Sequence, residues 1–179
     1  MTRFQLRFPG SDDLDAVYEA VRESIEELHR WMPWCHRGYS LADAAAWIAS
    51  QEDGRKAGAA FEFLIVGENQ RILGCCGLNG TNPMHHMANL GYWVRTSEVR
   101  RGVASRATKE VAEWAFANTE LVRLEIVAAV GNSASQSVAV RAGASREGVL
   151  HSRLFIGGKY HDAVMHSLIR PSSGSVRPR

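Results

Sequence analysis

Between Ala88 and Phe116 a strand, a basic turn and an amphipathic helix follow one another without a break, and this succession limits what the chain can become. Ala88-Asn89-Leu90-Gly91-Tyr92-Trp93-Val94-Arg95 reads as a strand. Glu98-Val99-Arg100-Arg101-Gly102 makes the turn, and Val103, Ala107, Val111, Trp114 and Ala115 then fall on one face of a helix. The first N–H groups of a helix lack intrahelical partners, and the helix dipole adds partial positive charge there. Gly102 and Ala104 let a ligand approach the backbone, while Arg100 and Arg101 add charge. The stretch is therefore expected to hold an anion, in particular a pyrophosphate.

The flanking segments complete a mixed sheet. Phe4, Leu6 and Phe8 alternate with polar residues in a first strand ending at Pro9-Gly10. Ser11 is the expected N-cap of a helix carrying Leu14, Val17, Val21, Ile25 and Leu28. The loop His29–Gly38 is rich in aromatic and basic residues, and Ser40-Leu41-Ala42-Asp43 opens a second helix as a capping box. Phe61–Val66 and Ile72–Leu78 form a hairpin, and the loop Asn79–His86 leads to the strand before the basic turn. Arg123–Val130 is a further strand, Asn132–Ala142 a short helix stopping at Gly143, and Ser145–Phe155 and Lys159–Ile169 a last hairpin turned by Gly157-Gly158. The order is β-α-α-β-β-β-α-β-α-β-β, with helices on both faces of the sheet. Residues 1–170 are expected to form one domain, and the Ser-, Pro- and Arg-rich tail 171–179 to be disordered.

Composition removes several function classes. A net charge of +2 over 179 residues does not support bulk electrostatic binding of nucleic acid. No apolar run approaches the roughly 20 residues of a membrane span. Met1–Leu6 reads as a strand rather than a signal peptide. Cys75 and Cys76 are adjacent in a strand, so they point to opposite faces and cannot share a metal; Cys35 stands alone. No metal site is expected, and a reduced, cytoplasmic setting follows.

Several stretches together resemble the GNAT N-acetyltransferase superfamily, and within it the branch that acetylates the N-termini of ribosomal proteins. They are Gly91-Tyr92-Trp93-Val94, Gly102-Val103-Ala104-Ser105-Arg106-Ala107, Asn132-Ser133-Ala134-Ser135 with Val138–Gly143, Glu147-Gly148, and Gly158–Asp162. Trp31-Met32-Pro33-Trp34 matches the same branch. The resemblance runs from about Phe4 to Ile169 and implies a mostly antiparallel seven-stranded α/β (α+β) fold.

It also implies a co-substrate, acetyl-CoA, lying in an opening between the strands at Asn89–Arg95 and Arg123–Val130. Backbone groups of Tyr92, Trp93 and Val94 would bind the pantetheine arm as an added strand. Arg100, Arg101 and the amides of Arg101, Gly102, Val103, Ala104 and Ser105 would hold the pyrophosphate. Asn132 would bond the pantetheine and Ser135 would sit near the thioester sulfur. The family tyrosine used as general acid aligns with Ala139, which leaves Ser135 as the proton donor. The glutamate frequent on the fourth strand is Asn89, and the glutamate of the ribosomal-protein enzymes falls at Leu154.

The residues themselves suggest the remaining parts. Glu62, between Phe61 and Phe63, is either an edge charge facing solvent or the carboxylate base of an acceptor cleft. Trp31 and Trp34 either cover core or wall that cleft, together with Asn79 and Asn89. His85 and His86, adjacent and diverging, are expected to be exposed loop residues rather than a metal pair, and His161-Asp162 to be structural within the last hairpin. An amine acceptor is implied, preferably a protein or peptide α-amine. A small-molecule amine or a non-catalytic acyl-CoA-binding module are the alternatives, and the resemblance implies a homodimer with the last hairpin as its contact.

Overall fold

The computed structural model describes residues 2–171; the expected disordered tail, from 172 on, lies outside the described residues. The first strand, β1, is Gln5–Arg7. The helices α1 (Leu14–Glu23), α2 (Ile25–Trp31) and α3 (Leu41–Lys56) follow, then β2 (Phe61–Val66), β3 (Ile72–Asn82) and β4 (Met87–Val94). The helix after the basic turn is α4 (Val103–Asn118). It is followed by β5 (Arg123–Ala129), α5 (Ser133–Arg141), β6 (Ser145–Ile156) and β7 (Lys159–Ile169). The seven strands form one sheet in the order β1-β2-β3-β4-β5-β7-β6, and its neighbouring strands are antiparallel except β4 and β5.

Two apolar layers hold this sheet between helices. Phe63, Ile65, Cys76, Leu78 and Leu90 pack under Val103, Ala107, Val111 and Ala115 of α4 and Ala139 of α5. Leu64, Val66 and Ile72 point the other way, against Val17, Val21, Leu28 and Ala44 of α1 to α3. Strand alternation thus sends Cys75 and Cys76 to opposite faces, as expected.

Three local expectations are corrected. The first helix is not continuous to Leu28. It breaks at Ser24, whose buried hydroxyl accepts the Thr96 N–H at 3.0 Å, so a contact distant in sequence overrides local helix preference. Ser11 is not the cap. Asp13 takes the Gly10 N–H at 2.8 Å and a two-point ion pair from Arg7. The loop expected from Asn79 is shorter, because β3 runs on to Asn82 and pairs Asn79 with Asn89. The capping box of α3 forms as read, with Ser40 and Asp43 bonding reciprocally.

Candidate active site

The parallel pair β4–β5 is joined only at Met87–Arg123, Ala88–Leu124 and Asn89–Glu125. Beyond Asn89 the strands separate, and a cleft of about 360 Å³ opens between Leu90, Gly91 and Tyr92 on one side and Ile126 to Ala129 on the other. Asn132 and Ser135 of the α5 start line it, with Trp31 and Leu154. Asn132 Oδ1 accepts the Ser135 N–H at 3.0 Å, so its first task is to cap α5. Its side-chain NH₂ makes no hydrogen bond among the described residues. The Tyr92 hydroxyl lies 2.8 Å from the Ser135 carbonyl oxygen, to which it donates, and 3.1 Å from Ser135 Oγ. Burial holds the Tyr92 phenol far above its usual pKa, so it stays protonated.

At the end of β4, Arg95 is buried and donates to Ile72 O, Glu19 and Glu23. This fixes where the basic turn leaves the sheet. Burial alone would raise the Glu23 carboxyl; hydrogen bonds from Ser97 and Arg95 outweigh it and bring the pKa to about 2. Gly102, with φ 74°, is the N-cap of α4 and supplies no side chain to occupy the helix amides. The first amide bonded within the helix is that of Arg106, to Gly102 O at 3.2 Å. α3 and α5, by contrast, are capped by their own side chains. Arg101 pairs with buried Glu98 at 3.5 Å, while Arg100 makes no ion pair among the described residues. These donors suit an anionic group lying along the start of α4.

A second cavity, of about 610 Å³, adjoins the cleft and shares Met32, Pro33, Asn79, Asn89, Gly91 and Tyr92 with it. Its floor is the face of the sheet covered by α1 to α3. Glu62, Gly77 and Gly91 lie side by side in register across three strands, with Cys75 and Trp93 in a neighbouring row. The two glycines leave room above the sheet, and the half-buried Glu62 carboxylate fills part of it. Asn79 Nδ2 donates to Glu62 Oε1 at 3.2 Å, the Cys75 thiol lies 3.4 Å from Oε2, and Asn89 Nδ2 donates to Asn79 at 3.0 Å. Burial raises the Glu62 pKa; the bonds from Asn79 and Cys75 only offset part of this.

Of the residues expected on the acceptor side, Glu62, Trp34, Asn79 and Asn89 line this cavity together, while Trp31 lines the cleft. Ala139 is wholly buried in the core, and His161 bonds Ile156 O while Asp162 takes His151 as its partner at 3.0 Å. Sequence reasoning missed Tyr39, Asp43, Cys75 and Trp47 in the cavity and the hydroxyl of Tyr92. It also missed Gly77, although a glycine inside an apolar strand marks a close approach. Among the described residues there is no cluster able to hold a metal and no helix long and apolar enough to cross a membrane.

The acetyltransferase (GNAT) domain family matches residues 3–145. The chain is 32% identical over 167 residues to YdaF of Bacillus subtilis, named as a candidate ribosomal N-acetyltransferase, covering 92% of this chain and 90% of that one. It is 29% identical over 165 residues to the ribosomal-protein-serine acetyltransferase of Escherichia coli strain K12, covering 92% of each. The solved structure of a candidate ribosomal-protein-serine acetyltransferase from Vibrio cholerae superposes with a TM-score of 0.80 at 29% identity, covering 94% of this chain and 95% of that one. The opening between parallel strands, the uncapped helix beside it and these matches agree: the chain belongs to the GNAT acetyltransferase family and is an acetyl-CoA-dependent N-acetyltransferase.

Proposed function

We propose that the protein acetylates the α-amino group of a protein or peptide N-terminus. One observation carries this reading. The opening between β4 and β5 and the Glu62 cavity meet at Gly91 and Tyr92, so a donor and an amine can face each other across one boundary.

Acetyl-CoA supplies the acyl group as a thioester, already activated toward amines. The amides of Arg101 to Ser105, with Arg100 and Arg101, would hold its pyrophosphate. The backbone of Tyr92, Trp93 and Val94 and the side-chain NH₂ of Asn132 would hold its pantetheine arm. Glu62 accepts the proton that the amine gives up, and its raised pKa makes it a stronger base than a solvated carboxylate. An α-amine with pKa ~8 is already partly neutral near neutral pH, so this base needs only moderate strength. As the amine nitrogen bonds the acetyl carbon and the C–S bond breaks, the CoA thiolate takes a proton from Ser135, which regains one from solvent; the Tyr92 hydroxyl lies 3.1 Å from Ser135 Oγ. Met32 and Pro33, common to both cavities, lie against the meeting point and restrict water there.

The reading is supported at the level of acceptor class by the relatives named for ribosomal proteins. By the same reading the protein is cytoplasmic and pairs through the β6–β7 hairpin. There Phe155 and Tyr160 are 56% and 71% exposed and pack at a tilt of 55° with ring centres 5.0 Å apart. The test is to incubate the protein with acetyl-CoA and short peptides bearing free or formylated α-amines, and to locate any acetyl group by mass spectrometry. Acetylation of the free α-amine only is expected. Modification confined to lysine side chains or to small amines overturns the proposal.

A further inference from the structure

One carboxylate of the acceptor cavity plays no part in this chemistry. Asp43 and Glu62 are the charged residues of the lining, and no Lys, Arg or His is among them. Asp43 spends a single oxygen, Oδ2, on Ser40 N at 2.8 Å, Ser40 Oγ at 2.7 Å and His36 Nε2 at 3.5 Å. Its Oδ1 makes no hydrogen bond among the described residues. Tyr39, also in the lining, is only 6% exposed, yet its hydroxyl makes no hydrogen bond to the described residues. The hydroxyl is reached from the cavity rather than sealed off from it, so it is free to bond an occupant. Trp47, one turn after Asp43 on α3, and Trp93 and Trp34 complete the wall. Trp34 is tilted 66° to Tyr39 and 53° to Trp93, with ring centres 6.0 and 6.3 Å apart, so these rings do not close on one another as a flat stack.

All of these groups favour the same charge. A carboxylate oxygen and a phenol oxygen accept hydrogen bonds, and indole faces attract cations. An apolar occupant would leave Tyr39 and Asp43 unpaired, and an anion would be repelled. We propose that Tyr39, Asp43, Trp34, Trp47 and Trp93 form a subsite for a second, non-reacting positive charge on the acceptor. Resting on the α-amine reading above, this means a lysine or arginine close behind the N-terminal residue.

The test uses pentapeptides beginning with Ser and carrying Lys, Gln or Glu at the second or third position. Binding is read calorimetrically in the presence of CoA, and turnover is followed in parallel. At one of the two positions the Lys peptide is expected to bind about tenfold more tightly than its Gln counterpart, and the Glu peptide more weakly than either. Tyr39→Phe and Asp43→Asn should bring the Lys-to-Gln ratio towards one. Asp43 also caps α3, so Tyr39→Phe keeps the test independent of that helix. Equal binding of Lys and Gln peptides at both positions, or a preference that survives both variants, overturns the subsite. A Lys peptide that binds tightly but is not acetylated overturns the α-amine reading and leaves the subsite standing. Equal binding with efficient acetylation does the reverse.

Discussion

Gly77 lies opposite Glu62 on the neighbouring strand, and a Cβ on Gly77 would fall 2.2 Å from Glu62 Oε2 and 2.6 Å from Glu62 Cα. The carboxylate occupies the volume that the glycine leaves empty. Because the clash includes backbone, a rotamer change alone does not relieve it. Gly77→Ala should destabilise the protein by about 1–3 kcal/mol, as overpacking does. It should also lower kcat by displacing Glu62. Thermal melts and peptide kinetics on one preparation read both effects, and an alanine variant with native kcat would show that Glu62 need not stand where it does.

Glu62→Gln separates stability from catalysis. Burial raises the folded-state pKa of Glu62 above its unfolded value, so the native state keeps this proton to higher pH. Its contribution is therefore favourable below the ordinary glutamate range and is lost as pH rises through the raised pKa. Glu62→Gln should flatten that fall and raise Tm at neutral pH, while cutting kcat/KM about 10² to 10⁴-fold, the usual worth of a general base. In the native enzyme kcat/KM should increase with pH through the same window. A pH–rate profile unchanged by the substitution would remove Glu62 from the mechanism.

Ala104→Glu places a carboxylate in the first turn of α4. Acidic residues stabilise helix N-termini by about 0.3–1 kcal/mol, so Tm should hold or rise. The same charge repels a pyrophosphate at the amides of Gly102–Ser105, and CoA affinity measured by calorimetry should fall at least tenfold, about 1.4 kcal/mol. Retained affinity in the folded variant would dissociate this helix start from the phosphates.

Acid stability should depend on Glu23. Its carboxyl is held down to about 2, with Ser97 and Arg95 outweighing the effect of burial. Its folded pKa lies below the ordinary glutamate value, so its stabilisation is complete above that value and is lost as pH falls towards about 2. Glu23→Gln should flatten stability across this range in denaturant titrations. Arg95→Ala should be worse at every pH, by about 2–5 kcal/mol, because it empties a buried site and leaves the Ile72 carbonyl without its donor. If both variants melt like the native protein, the anchor at the foot of the basic turn carries no weight.

The frame and the helix starts proposed to hold the donor were legible because they rest on local rules. Strand alternation, the glycine before α4 and the Asn132 cap are each set within a few residues. The cavity proposed for the acceptor depends on register. Glu62 meets Asn79 only because β2 and β3 pair as they do, and a shift of one residue would turn its carboxylate into the other layer. Tyr39 and Asp43 read locally as loop and cap, and only the packing of α3 over the sheet brings them beside Trp34 and Trp93. The break at Ser24 was hidden for the same reason, since its partner, Thr96, lies far along the chain.

The three residue pairs that join β4 to β5 make the sheet two plates riveted at one corner. Past the rivets each plate presents a main-chain edge to a gap rather than to a neighbour. A molecule that seats there serves as a splint as well as a reactant, because it ties together edges the protein leaves apart. With acetyl-CoA seated there as proposed, the stability of these edges should grow with co-substrate concentration, in the manner of any binding that favours one state. Amide hydrogen exchange along Gly91–Val94 would register that stiffening residue by residue.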